Sequence, residues 1–227
     1  GAATLISDDE RYKHYIESAI IDATINKDIL MDTPINKPSL LRQTFELASA
    51  YSGQILSLTK MLGSLTDAGN VSTLSGYINL LNESGLVCGL QKYSVDMARR
   101  RASIPKLQVY NNALKTVYTP MSMKNALIDR QTWGHIFESA IGAYITSQAF
   151  RYRFDVFYWR ERNDEVDFVL RKNNVLVALE VKSNAEKNTK GLSIFTEMYS
   201  PRHSAIIGNG GISPEDFFYM DLRKLFE

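Results

Sequence analysis

Apolar residues in the front half of the chain recur every three or four positions, the spacing of a helix that buries one face. The segments with this pattern are 11–26, 40–51, 55–62 and 72–83. A turn is expected at 66–70, and the two shorter apolar stretches 86–93 and 107–110 have the length and composition of strands. Three helices followed by a strand pair predict a winged-helix domain over residues 39–110, preceded by a helical lead-in over residues 1–38.

The second half of the chain has a different order of patterns. A long helix is expected from Trp133, because apolar side chains follow it at helical spacing as far as Ile145. Short apolar stretches predict strands at 156–160, 165–171, 175–182, 204–207 and 217–220, a helix at 192–199 and a short terminal helix. The order helix, three strands, helix, strand predicts an α/β layer arrangement for residues 111–227.

Two of these strands are predicted to form a hairpin with a defined register. Asparagine tolerates the positive φ angles that a two-residue hairpin turn requires, so Asn173 and Asn174 are expected at the turn. The turn then pairs Lys172 with Val175. A clean alternation of apolar and charged residues supports this register, since a slip of one residue would move every apolar side chain out of the core.

Four charged side chains share one face of the hairpin in this register. Asp167 lies opposite Glu180, and Glu165 lies opposite Lys182. Two carboxylates directly across an antiparallel pair repel each other unless a cation lies between them. The other face is expected to be apolar throughout, and its residues are Val166, Phe168, Leu170, Val175, Val177, Leu179 and Val181.

This face has the composition of a metal-dependent phosphodiesterase site. The carboxylates of Asp167 and Glu180 are hard oxygen ligands, suited to Mg²⁺ and also to Mn²⁺, and such an ion can activate a bound water to attack a phosphodiester. Lys182 projects to the same side, where it could orient or deprotonate that water or neutralise charge at phosphorus. The alternative is a solvated hairpin face with ordinary surface charge pairs.

The spacing of these residues resembles that of a known superfamily. Glu138 on a helix, Asp167 in a strand and Glu180-Val181-Lys182 in the next strand resemble the PD-(D/E)XK nucleases. The wider pattern resembles the C-terminal regions of prokaryotic AAA+-type ATPases, long classed as a domain of unknown function. The segments that carry this likeness are Trp133-Gly134-His135-Ile136-Phe137-Glu138, Tyr158-Trp159-Arg160 and Glu165-Val166-Asp167-Phe168-Val169-Leu170, with Arg11-Tyr12, Lys27-Asp28-Ile29, Ser72-Thr73, Tyr77, Leu80-Leu81 and Ile104-Pro105-Lys106-Leu107 upstream.

The resemblance implies a winged-helix domain followed by a restriction-endonuclease-like α/β domain. It implies Asp167, Glu180, Lys182 and Glu138 as the catalytic set, with Asp167 and Glu180 as ligands of Mg²⁺. It also implies a P-loop ATPase module on the N-terminal side as a partner. This chain is not expected to bind ATP itself by that route, because no GxxxxGK[ST] motif occurs in it. Asn111-Asn112-Ala113 depart from the group, which usually has an aspartate and a small residue there.

The charge of the whole chain gives little indication of a nucleic-acid partner, because the formal net charge is only +1. A local basic run, Arg99, Arg100 and Arg101, is expected at the hairpin tip or wing of the winged helix. It predicts contact with DNA phosphates, and a solvated turn is the alternative. The helix predicted at 72–83 has few basic residues, so packing between domains stays open beside base reading.

The composition limits the compartment and the function class. No apolar run approaches the ~20 residues of a membrane helix, so no membrane partner is expected. The start of the chain lacks a secretory signal and Cys88 is the single cysteine, which predicts a cytoplasmic protein. The start Gly1-Ala2-Ala3 predicts a piece of a longer protein. Two functions are expected: a Mg²⁺-dependent DNA nuclease accessory to an ATPase, or an inactive nuclease fold that binds DNA or protein.

Overall fold

A computed structural model of the chain describes residues 8–66, 69–184 and 189–227, and its fold is mixed α/β. Parts of the predicted lead-in (residues 1–7) and of the predicted turn (residues 67 and 68) lie outside the described residues. The chain enters through α1, Asp9–Ile16, and continues in π-helical turns at Glu17–Ile21 and Thr24–Ile29. The helical lead-in therefore extends further than 11–26.

The front half alternates helices with a strand pair. The elements that follow the lead-in are α2 (Leu30–Asp32), α3 (Pro38–Ala50), α4 (Leu58–Leu62), α5 (Val71–Glu83), β1 (Val87–Lys92), α6 (Met97–Arg101), β2 (Lys106–Val109), α7 (Asn112–Val117) and α8 (Met123–Ala126). The three helices and the two strands lie where the apolar pattern predicts them. Their core includes Leu41, Phe45, Leu81 and Leu107, all fully buried.

The second half holds the order helix, three strands, helix, strand. Its elements are α9 (Arg130–Tyr152), β3 (Asp155–Glu161), β4 (Asp164–Lys172), β5 (Val175–Lys182), α10 (Lys190–Tyr199), β6 (His203–Gly208) and α11 (Pro214–Tyr219), followed by a 3₁₀ turn at Leu222–Phe226. The strand predicted at 217–220 is wrong, because α11 occupies most of that segment. Ser213 caps α11 and Pro214 takes its first position, which is a helix start.

One six-stranded mixed sheet joins the two halves, with the strand order β2, β1, β3, β4, β5, β6. The hairpin of β1 and β2 enters it through a parallel pairing of β1 with β3, at Gln91–Phe157 and Lys92–Tyr158. β3, β4 and β5 are antiparallel neighbours, and β6 is parallel to β5. The β5–α10–β6 unit is thus a crossover between parallel strands.

Helices cover both faces of the central strands. Ile141 and Ile145 of α9 pack on one face, against Phe168. Phe195 of α10 packs on the other face, against Trp159. Both faces of the β4–β5 hairpin are therefore buried along most of its length. Its charged residues lie at the two ends, with Arg171 and Lys172 beside the turn and the acidic residues and Lys182 at the other end.

The β4–β5 hairpin has the predicted register from its turn to Phe168 and Leu179, where the pairing ends before the predicted pair of Asp167 and Glu180. Lys172 pairs with Val175, and Asn173 at the turn has φ +55°, as a tight turn requires. A bulge interrupts the other side of β4, since its pairing with β3 shifts by one residue between Phe157 and Trp159. Val166 consequently packs with Trp159 and not on the face of Phe168, so its predicted position is wrong.

The start of α10 lies so close to β4 that only glycine fits there. A Cβ on Gly191 would lie 2.1 Å from the carbonyl oxygen of Glu165. We expect Gly191→Ala to lower the free energy of unfolding by about 1 to 3 kcal/mol, as overpacking does. Gly76→Ala is the control, because Gly76 is exposed in α5 and, apart from its own helix backbone and chain neighbours, no atom of the described residues comes within 4 Å of a Cβ there, so it should stabilise by about 0.5 to 1 kcal/mol. Urea unfolding of both variants measures the difference, and equal effects would contradict the close contact.

Candidate active site

Four carboxylates converge at the end of the β4–β5 hairpin that is remote from its turn. Glu138 comes from the middle of α9, Glu165 and Asp167 from β4, and Glu180 from β5. Asp167 and Glu180 are 9% and 7% exposed, although both are acidic. Buried carboxylates require compensation by cations or hydrogen-bond donors, so the groups that face them define the site.

Lys106 lies at the centre of three of these carboxylates. Its side chain is fully buried, and its Nζ lies 2.5 Å from Glu138 Oε1, 3.4 Å from Asp167 Oδ1 and 3.5 Å from Glu165 Oε1. It also donates to the carbonyl oxygen of Asp167 at 3.2 Å and lies over the ring of Phe168, 5.0 Å from its centre. This lysine, from the first position of β2, ties the front half of the chain to the carboxylate cluster.

Asp167 and Glu180 are held by different partners. Asp167 Oδ2 accepts a hydrogen bond of 2.7 Å from the backbone N–H of Val181, just beyond Phe168 and Leu179, the last residues that pair β4 with β5. Glu180 Oε1 accepts from Lys182 Nζ at 2.6 Å. Within the described part of the chain, Glu180 Oε2 is buried and has no hydrogen-bond partner. One carboxylate oxygen of the site is thus left for a ligand.

The cluster holds more negative charge than Lys106 can neutralise. Burial favours the neutral amine of Lys106, but the carboxylates of Glu138, Asp167 and Glu165 outweigh it and raise its pKa, so the ammonium stays charged. Burial raises the pKa of Glu138 to about 8, against the attraction of Lys106, and the nearby Asp167 raises it further. The result is a site in which one carboxyl group tends to keep its proton near neutral pH.

A similar competition acts on the second pair. Burial and the charge of Asp167 raise the pKa of Glu180 to about 7, while the hydrogen bond from Lys182 opposes the shift. Burial favours the neutral amine of Lys182, but the bond to Glu180 and the charges of Glu180 and Asp167 prevail and raise its pKa. Lys182 is therefore an ammonium at neutral pH, whereas Glu180 is fully ionised only at a higher pH.

The backbone of Lys182 is fixed by the turn after β6. Asn209 N donates to the carbonyl oxygen of Lys182 at 2.8 Å. Gly208 has φ +102°, and a Cβ there would lie 2.2 Å from that same oxygen. Because only glycine combines this conformation with this contact, the turn holds the end of β5 in one position.

The residues fit a hard divalent cation in the kind of donor they supply. Asp167 and Glu180 offer carboxylate oxygens, and the unpartnered Glu180 Oε2 is a ligand atom without another role. Over residues 8–66, 69–184 and 189–227, no three Asp, Glu, His or Cys side chains are grouped as a metal site. Lys106 takes the place between Glu138, Glu165 and Asp167, so the carboxylate pair at Asp167 and Glu180 is the part of the cluster suited to an ion.

The three arginines predicted in a wing loop lie in the short helix α6. Arg100 is used internally, since its Nη2 donates to Ser94 O at 2.8 Å and its guanidinium lies 5.1 Å from the ring centre of Phe157. Arg99 is 83% exposed and has Asp96 as a distant partner at 3.7 Å, and Arg101 is exposed. Asp96 caps α6, which explains the helix where a loop was expected.

The structure brings the four predicted residues Glu138, Asp167, Glu180 and Lys182 to one place. The predicted pairing of Glu165 with Lys182 is wrong, because the bulge turns Glu165 towards Lys106 and towards Arg160, 3.9 Å away. Lys106 had no predicted role. Its signals in the sequence are a lysine at the start of an apolar strand and its place in Ile104-Pro105-Lys106-Leu107, one of the segments that carry the resemblance.

The comparisons with known proteins concern the two halves separately. Residues 2–125, more than half of the chain, match the family described as Domain of unknown function (DUF8612). The chain belongs to this family. Residues 133–217, from α9 into α11, match a second domain, described as Domain of unknown function (DUF4143). This domain is commonly found in proteins associated with AAA-type ATPases.

The other comparisons add no relative. No curated protein and no solved structure matches the chain significantly. In the part of the chain that the structure describes, none of the helices combines the length and the apolar character needed to cross a membrane. The geometry of the site is therefore the main basis for a function.

Proposed function

We propose that the half of the chain from α9 to β6 is a Mg²⁺-dependent or Mn²⁺-dependent nuclease of the PD-(D/E)XK type, acting on DNA. The observation that carries the proposal is the buried, unpartnered oxygen of Glu180, beside Asp167 and Lys182. A purely structural role gives no reason for burying two carboxylates together with one oxygen left unpaired. A cation that needs hard oxygen donors accounts for the two carboxylates.

Asp167 and Glu180 would hold the ion in this proposal. An ion bound there lowers the pKa of a water and stabilises charge on the phosphodiester. The N–H of Val181 fixes Asp167 Oδ2, and Lys182 fixes Glu180 Oε1, so both carboxylates are oriented before any ion arrives. Preorganised ligands of this kind reduce the cost of assembling the site during the reaction.

Lys182 has the properties of a charge-stabilising group. Its raised pKa keeps the ammonium protonated at neutral pH, which makes it a poor base. Its donor position beside Glu180 allows it to contact a phosphate oxygen or the attacking water. Of the roles that the sequence leaves open, neutralisation of charge at phosphorus is therefore the one we propose.

The front half is proposed to be a winged-helix module. Its support is the order α3, α4, α5 and then the β1–β2 hairpin, together with an isolated antiparallel bridge from Ile55 to Lys106 beside that hairpin. DNA and an AAA-type ATPase are the proposed partners, the latter because DUF4143 is commonly found in proteins associated with such ATPases.

Lys106 favours a second candidate function, a catalytically inactive nuclease fold that binds DNA or protein. Its ammonium already neutralises part of the carboxylate cluster from within the chain, at 2.5 Å from Glu138 and 3.4 Å from Asp167. A fold stabilised in this way needs no metal to remain intact. The two candidates differ in whether Asp167 and Glu180 bind a divalent ion.

Cleavage assays with Mg²⁺ or Mn²⁺ on linear duplex, branched and single-stranded DNA test the proposal. We expect metal-dependent cleavage of at least one substrate, lost on chelation. Its rate should rise from about pH 6 to about pH 8, because Glu180 must lose its proton to hold the ion and its pKa is about 7. No cleavage together with no ion binding would favour the inactive docking module.

A further inference from the structure

A groove of about 670 Å³ lies beside the carboxylate cluster and has no role in the site described so far. One wall comes from the segment after β1, including Lys92 and Arg99. The other wall comes from the end of β3 and its turn into β4, including Arg160 and Arg162, and Tyr199 of α10 closes one side. Residues of the two matched segments, 2–125 and 133–217, therefore lie on one surface.

The groove is strongly basic in a chain that is almost neutral overall. Of the residues that the structure describes, four cationic side chains line it, and Glu161 is the single acidic one. Glu161 is partly neutralised by Lys92, 3.5 Å away. Arg99 and Arg162 are exposed, so their guanidinium groups are available to a ligand. This local excess is the electrostatic footprint of a polyanion.

The groove borders the candidate active site at Arg160. Arg160 of β3 pairs with Glu165 of β4, and its Nη1 lies 3.9 Å from Glu165 Oε2. Glu165 Oε1 in turn lies 3.5 Å from Lys106, at the centre of the carboxylates. Tyr158 donates to Ile104 O at 2.6 Å and joins the two walls of the groove at this end. A chain of phosphates lying in the groove would thus come next to Glu165, at the edge of the carboxylate cluster.

We infer that this groove binds the phosphodiester backbone of the DNA strand that enters the carboxylate site. Guanidinium groups match phosphate oxygens in geometry, and spaced arginines on two walls suit a repeating anion better than a single one. This inference rests on the proposed function, which identifies the strand as DNA. The lining of the groove does not include the proposed metal ligands. Arg99 belongs to the predicted basic run, whereas Arg162 comes from the other half of the chain.

The test is fluorescence anisotropy with labelled single-stranded and duplex DNA, in the presence of a chelator so that metal binding and cleavage play no part. Arg99→Glu/Arg162→Glu should weaken binding at least about tenfold and reduce the salt dependence, by roughly 0.9 in log–log slope for each phosphate that the protein no longer neutralises. Arg11→Glu/Arg151→Glu is the matched control. It makes the same change of charge at exposed positions, on α1 and at the far end of α9, and should bind more tightly than the groove variant.

The outcomes separate the groove from the nuclease proposal. Asp167→Asn should bind DNA at least as tightly as wild type, because Asp167 is outside the groove and the substitution removes a negative charge, so loss of cleavage with retained binding leaves the groove inference standing. Equal binding by the groove variant and its control would overturn it. Wild type that binds no DNA would also overturn it. So would displacement of the DNA by inorganic phosphate at constant ionic strength, since the groove would then be at most a site for small anions. Melting curves establish that both double variants are folded.

Discussion

Asp167→Asn is expected to abolish divalent-ion binding and DNA cleavage together, whereas Lys182→Ala should lose cleavage and keep the ion. Asp167→Asn removes one of only two carboxylates that would bind the ion, and water already supplies the other ligands. Lys182→Ala removes an ammonium that stabilises charge on the phosphate, a loss we expect to slow cleavage by about 10²- to 10³-fold. Ion binding should be unchanged or tighter in Lys182→Ala, because a neighbouring positive charge is gone.

Calorimetry with Mn²⁺ and cleavage assays on the same preparations measure the separation. Lys172→Ala is the matched control, since Lys172 lies on the same hairpin beside its turn, away from the carboxylates, and should leave both quantities unchanged. A Lys182→Ala variant that cleaves at the wild-type rate would remove Lys182 from the catalytic set. A variant that loses the ion as well would make Lys182 a residue that only positions Glu180.

Lys106→Met is expected to destabilise the protein by about 3 to 5 kcal/mol, because it removes the cation from a buried cluster and leaves the carboxylates unpaired. The loss should be smaller at low pH. Carboxyls whose pKa is raised on folding, as that of Glu138 is even beside Lys106, add no cost below their unfolded pKa. The cost grows as the pH rises towards the folded pKa, which the loss of Lys106 raises further. Urea unfolding at low and high pH measures both effects.

Two comparisons show whether the charge is the cause. Lys92→Met removes a half-exposed partner of Glu161 and should cost less than about 1 kcal/mol. The double variant Lys106→Met/Glu138→Gln should regain much of the stability, because the carboxylate nearest to the lost ammonium is neutralised. Mn²⁺ should stabilise Lys106→Met more than wild type. If Lys106→Met is as stable as Lys92→Met, the carboxylate cluster does not need Lys106 for its stability.

The parts of the fold that sequence could predict are those fixed by local rules. The hairpin turn at Asn173 and its register follow from the φ that asparagine tolerates and from the period of two in β4 and β5. The helices α3, α5 and α9 follow from apolar spacing. Asp167, Glu180 and Lys182 come together because all three belong to this one hairpin.

The remaining features depend on contacts between distant segments or on competing local signals. The bulge that redirects Glu165 and Val166 has no local signature, and the parallel pairing of β1 with β3 joins residues far apart in the chain. Lys106 reaches the site only because of that tertiary arrangement. The helix α11 is different, since Ser213 and Pro214 at its start are helix-start signals that outweigh the apolar residues after them.

The central claim is that Asp167 and Glu180 form a site for a divalent ion, and a calorimetric titration with Mn²⁺ of wild type and Glu180→Gln tests it most directly. The substitution keeps the shape of the side chain and removes the charge of the carboxylate whose free oxygen defines the site. We predict one bound ion per chain in wild type and none in Glu180→Gln. Wild type that binds no ion at millimolar concentration, even with DNA present, would contradict the account.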